Sequence, residues 1–139
     1  MHKLLRFLLI SFILTSSLVF APVTTVHAIS IPAEINKQFT PIIIDSGGVS
    51  VLRVSIFNPN LFPLTNAGWT DTLISGLSIA DPAGINNTCD GSVTAVPNTP
   101  FLSLSGGTVP AQVGVTPGEC YVEINVTSTT PCNFKSEKA

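Results

Sequence analysis

Three cysteines, Cys89, Cys120 and Cys132, carry most of the chemistry this chain could offer. Cys89 follows the turn-rich Asn86-Asn87-Thr88. Cys120 opens a run in which Cys120, Val122, Ile124 and Val126 alternate with Tyr121, Glu123, Asn125 and Thr127. That period of two predicts a strand with Cys120 on its apolar face. Closing the loop between Cys89 and Cys120 would stabilise the fold by about 3 to 4 kcal/mol on the chain-entropy model; two buried free thiols are the alternative. In either case Cys132 has no partner, and an odd cysteine in an exported chain is reactive, intermolecular or accidental.

Other reactive groups are sparse. Both histidines, His2 and His27, lie in the first 28 residues. A chain that loses that stretch has no imidazole for a triad, a common zinc site or general-base work. Asp45, Asp71, Asp81 and Asp90 sit in or beside predicted turns, where carboxylates and carbonyls can collect calcium. No Asp-x-Asp-x-Asp-Gly pattern is present, and aspartate is an ordinary turn residue. Ser46-Gly47-Gly48 and Ser105-Gly106-Gly107 read as turns, because no Lys-Ser/Thr or opening helix follows them as a phosphate cradle requires. Trp69 could line a carbohydrate platform, but a lone Trp on a sandwich strand belongs more often to the core. Asn86-Asn87-Thr88 and Asn125-Val126-Thr127 satisfy the glycosylation sequon. No nucleophile stands beside a base, so no catalytic, metal or cofactor residue is expected, and an enzyme is the least favoured class.

The elements that must position these residues follow from composition and period. Of 139 residues, 45% are hydrophobic and only 10% charged, with 10 Gly, 11 Pro, 6 basic and 8 acidic side chains, and the mean hydropathy is +0.49. Charged residues usually make up about a quarter of a soluble domain, so the chain is either partly membrane-embedded or a lightly charged β-protein. Lys3 and Arg6, the apolar stretch from Phe7 to Ala21 and the small residues of Val26-His27-Ala28 have the order of an export signal, cut after Ala28. An uncleaved anchor is the alternative. Export would put the cysteines in an oxidising compartment. Residues 29–139 then carry Lys37, Arg53, Lys135 and Lys138 against eight acids, a balance that excludes nucleic acid as a partner.

Period two dominates the rest. Strands are predicted over Thr40–Ile44, Val49–Phe57, Asn66–Leu73, Leu77–Ala80, Ser92–Val96, Phe101–Leu104 and Glu119–Thr127, separated by Gly, Pro and Asn turns. Leu52, Val54 and Ile56 should share one core with Val122, Ile124 and Val126. About seven short strands, each with one apolar face, predict an all-β antiparallel sandwich of two layers.

Phe39-Thr40-Pro41, Gly47-Gly48, Asn58-Pro59-Asn60, Thr70-Asp71-Thr72-Leu73, Gly76-Leu77, Asn87-Thr88-Cys89, Leu104-Ser105-Gly106-Gly107-Thr108, Gly118-Glu119-Cys120 and Val126-Thr127-Ser128-Thr129-Thr130-Pro131, in that order, resemble an immunoglobulin-like domain family of unknown function. That family recurs in tandem in bacterial surface and adhesin-like proteins and is related to the conserved-repeat group of extracellular stalk domains. The resemblance implies an immunoglobulin-like sandwich over 39–131 without known catalysis, and a Cys89–Cys120 pair. It departs from the family pattern at Cys132, where a glycine is usual, and in the charged end Asn133 to Ala139. The expected organisation is a signal peptide at 1–28, a lead-in at 29–38, the sandwich at 39–131 and a truncated, non-β tail at 132–139 that leaves the sandwich one strand short.

The expected function is that of a cell-surface or extracellular structural and adhesion module, a fragment of a longer repeat protein. The alternative is a free-standing secreted domain that binds a carbohydrate or peptide. Expected partners are other surface repeats or an extracellular protein or carbohydrate, with membrane contact confined to the signal peptide during export. Self-association is expected through an open sheet edge or through Cys132.

Overall fold

A computed structural model describes residues 30–134. The expected signal peptide and the end of the chain from 135 lie outside the described residues. Ten strands follow one another: β1 (Glu34–Thr40), β2 (Ile43–Ile44), β3 (Val49–Asn58), β4 (Leu64–Thr72), β5 (Leu77–Ile79), β6 (Asn86–Asn87), β7 (Ser92–Ala95), β8 (Phe101–Val109), β9 (Gly118–Ser128) and β10 (Cys132–Asn133). All pair antiparallel, and the described residues include no helix.

The longest ladder is β3 against β9, where Leu52 lies opposite Ile124, Val54 opposite Val122 and Ile56 opposite Cys120. Their alternation works as the sequence predicts: all six are buried and join one core. β1 extends this sheet beyond β3, while β5 and β6 share the far edge of β9. Between those two short strands, Ala80 N–H donates to Asn125 O and Asn125 N–H to Ala83 O, so the edge continues across the Asp81-Pro82 interruption. A second sheet, β4-β8-β7, covers the first. It contributes Leu102, Leu104 and Val109 from β8 and, partly buried, Leu64, Ala67 and Trp69 from β4. The protein is thus an antiparallel β-sandwich whose core lies between a larger and a smaller sheet.

Four local expectations are corrected. The strand expected at Thr40–Ile44 is two strands, because Pro41 has no N–H to give to a ladder. Its first part reaches back to Glu34, and Lys37, placed among inward-facing Ile35 and Phe39, is held by Asp71 at 2.7 Å. Asn86-Asn87 is an exposed edge strand rather than a turn. Ser105-Gly106-Gly107 is no turn either. It is an irregular stretch inside β8, with Gly106 at φ 68° and register shifts where β4 passes Ala67.

The fourth correction concerns the tail. Cys132 and Asn133 pair with Ile44 and Ile43, and Phe134 N–H donates to Ile42 O at 2.7 Å. The Phe134 ring stacks on Phe39 with centroids 4.3 Å apart and is buried. Residues 132–134 therefore add to the sandwich instead of leaving it one strand short, because a single aromatic side chain supplies enough apolar area to dock a polar segment.

Truncation should follow burial and face rather than strand membership. Ile124→Ala is expected to cost about 2 to 5 kcal/mol in urea unfolding, whereas Glu123→Ala, one residue away on the outer face, should cost under about 1 kcal/mol. Phe134→Ala should cost about 3 kcal/mol; a near-neutral result would mean the tail does not dock.

Candidate functional site

Cys89 and Cys120 form a disulfide with Cα atoms 4.8 Å apart, and both are fully buried. Local chemistry delivers each of them. Cys120 is the third residue of β9 and faces inward by alternation. Cys89 is aimed by its neighbours: its N–H donates to Asn87 Oδ1 at 2.9 Å, Thr88 N–H donates to Tyr121 O, and Cys89 O accepts from Thr108 N–H on β8. The chain then leaves one sheet for the other through Asp90 and Gly91, at φ 56° and 69°. Gly91 is required there, since a Cβ would meet Ser105 O and the Gly106 backbone. The cystine therefore ties β9 to the point where the chain crosses between sheets.

Cys132 remains a free, half-buried thiol on β10. The four aspartates stay apart: Asp71 pairs with Lys37, Asp90 turns the chain beside the cystine, and Asp45 and Asp81 are exposed in separate loops. Among the described residues no group of three or more His, Cys, Asp or Glu side chains comes together to hold a metal ion. Trp69 packs half-buried against the core with its Nε1 lacking a partner, while Phe62 is exposed at one end of the sandwich.

The most organised polar surface lies on the outer face of the larger sheet, around Arg53. Its Nη2 is 3.1 Å from Glu119 Oε1 and its Nη1 3.2 Å from Glu123 Oε1. Ser55 Oγ also donates to Glu119, and Asn86 Nδ2 donates to Glu123 Oε2. The guanidinium carbon lies 3.5 Å from the centroid of the Tyr121 ring, a cation–π contact. Partial burial lowers the guanidinium pKa, but the hydrogen bonds and charges of Glu119 and Glu123 outweigh it and hold the group above its ordinary value. Arg53, Ser55, Glu119 and Glu123 line a shallow groove of about 600 Å3 together with Asn36 and Gln38 of β1. One guanidinium is shared by two carboxylates, so the face offers hydrogen bonds, one stacked cation and a residual negative charge and places no nucleophile beside a base. A smaller apolar cleft of about 230 Å3 opens between the sheets at Phe39, Leu73, Leu77 and Phe134.

None of the Arg53 cluster was singled out by sequence reasoning. The signal was present, since Arg53 and Glu123 occupy outer positions of the two best-defined strands and their register sets them opposite each other.

A β-sandwich with one interior cystine and a polar outer face is the class this geometry defines. The chain belongs to the family described as a domain of unknown function, DUF7933, whose model matches residues 33–137. No curated protein and no solved structure matches it.

Two outcomes follow. Peptide mapping without reduction should recover Cys89 linked to Cys120, and Cys89→Ala/Cys120→Ala should lower stability by about 3 to 4 kcal/mol for a separation of 31 residues; an unchanged midpoint would contradict the tie. A double-mutant cycle on Arg53 and Glu123 should give about 0.5 kcal/mol of coupling that shrinks with salt, as a pair this exposed allows.

Proposed function

We propose that the protein is an exported, non-catalytic structural module of immunoglobulin-like type that works at the cell surface as a stalk or adhesion element. One observation carries the reading: the chain enters and leaves at opposite ends of the sandwich. Ile31 is hydrogen-bonded to Asn60 at the end where β3 finishes, whereas β10 lies beside Ile43 and Ile44 at the end where β3 begins. β3 separates the ends by ten residues, about 33 Å of extended strand. Modules joined this way line up end to end. Tension on the two termini then loads the β1–β3 and β3–β9 ladders along their length, so many hydrogen bonds share it at once.

The interior cystine supports an extracytoplasmic setting, because such bonds persist where the compartment is oxidising. The export-type order of residues 1–28 supports the same setting. In this reading the sandwich from Glu34 to Phe134 is the repeat, its neighbours are further repeats of the same kind, and an extracellular protein or carbohydrate is the adhesion target.

N-terminal sequencing of the chain recovered from the cell envelope or medium tests the export step: Ile29 is expected first, and a cytoplasmic chain that retains Met1 contradicts it. Pulling head-to-tail copies by their ends tests the stalk role. Discrete unfolding peaks are expected, each lengthening by about 110 Å (about 3.6 Å per residue) on reduction as the 31-residue loop is freed. Gradual yielding without peaks contradicts a load-bearing role. Saturable binding of a glycan or peptide to an isolated single module that yields in this way would favour a free-standing binding domain instead.

A further inference from the structure

The end of the sandwich at which the chain enters is a rigid apolar tip. Two loops build it, 59–63 between β3 and β4 and 110–117 between β8 and β9. Leu61 and Val113 are each 80% exposed and Val115 93%, with Phe62 beside them. Side chains of this kind on a mobile loop would need no explanation; these are held. Asn58, fully buried, donates through Nδ2 to both Phe62 O and Pro110 O at 2.8 Å, which locks one loop to the other. Asn60, also buried, exchanges hydrogen bonds with the Ile31 backbone and receives Gln112 N–H on its own carbonyl.

We propose that this tip is a membrane-contacting surface, on which Leu61, Phe62, Val113 and Val115 enter the interfacial layer of a lipid bilayer. Three observations select lipid over another protein. First, neither loop contains a charged residue, so insertion desolvates no ion and the loops offer a protein partner no charge to read. Second, part of the tip's backbone is already paired within the loops. Val113 and Thr116 exchange both N–H···O bonds at 3.0 Å, and Gln112 Nε2 donates to Gly114 O at 2.7 Å. Pro59, Pro63, Pro110 and Pro117 have no N–H to satisfy. Pairing of this kind lowers the cost of leaving water, and the interfacial layer still hydrates the backbone groups that have no partner within the loops. Third, the chain that leads into the tip at Ile31 comes from the uncharged, largely apolar stretch Phe7–Ala21, so the tip is the end of the sandwich nearest to a membrane whenever that stretch is in one. Membrane contact was expected at residues 1–28 alone; the tip adds a second contact, and it goes beyond a stalk or adhesion role.

The test uses the full chain with Cys132→Ser and one new cysteine carrying an environment-sensitive fluorophore, at Val115→Cys, Leu61→Cys or Thr94→Cys, mixed with phosphatidylcholine vesicles. Blue-shifted emission and quenching by nitroxide-labelled lipid are expected at 115 and 61 and not at 94, which lies on the exposed edge strand β7. Val113→Asp in the chain labelled at 61 should weaken the vesicle-dependent shift about tenfold or more, while the thermal transition stays in place. Three results overturn the proposal. The label at 115 remains in water on vesicle-bound chain; it is already blue-shifted without vesicles, as when a second copy or residues 1–29 cover the tip; or no vesicle-dependent shift occurs at either tip position.

Discussion

The β3–β9 ladder is the constraint on which the rest of the structure depends. Its register sets Leu52, Val54 and Ile56 beside Ile124, Val122 and Cys120 on one face, and the same register sets Arg53 opposite Glu123 on the other. A slip by one residue would exchange the faces, burying the ion cluster and exposing the core. The cost of that exchange, several kcal/mol for each buried charge left unpaired, makes the pairing unambiguous. Most other elements then attach to an edge or the inner face of this pair, while β2 and β10 form a two-stranded sheet of their own. β1 runs along β3, the 77–88 segment follows β9, and the smaller sheet closes over the apolar side.

Polar residues specify the places where apolar burial cannot. Asn58 and Asn60 are almost wholly buried, and both are satisfied by carbonyl and amide groups of three separate chain segments. Their hydrogen bonds fix the end of the sandwich as the cystine fixes the crossing between sheets. The two devices lie toward the same end, near the start of β9. The opposite end is held by the two-residue pairing of β10 with β2 and by the Phe39–Phe134 stack. One end is therefore fixed by buried asparagines and the cystine, and the other by a short strand pair, one aromatic stack and loop hydrogen bonds such as Gly47 N–H to Ser128 O.

Much of this was legible from alternation alone. β3 and β9 could be read because each keeps period two through nine or more residues, and the inward direction of Cys120 followed from its place in that pattern. β1 was not legible, since Asn36, Lys37 and Gln38 hide the inward Ile35 and Phe39, and Lys37 is tolerated there only because Asp71 arrives from another strand. Phe134 was lost among Lys135, Glu137 and Lys138, although its ring completes the core. Ser105-Gly106-Gly107 carries turn chemistry but serves an irregularity within a strand. The Arg53 cluster needed the register between two strands 70 residues apart, a tertiary fact that no local window contains.

Amide hydrogen exchange followed by NMR on the oxidised chain tests the ladder's primacy most directly. Inward-facing amides of β3 and β9, with those of β8 that cover them, should exchange last and with one common free energy, as groups released only by global opening. Amides of β7, β2 and β10 should exchange earlier. If β3 and β9 exchange as fast as β7 or β10, the sandwich is not organised around their pairing.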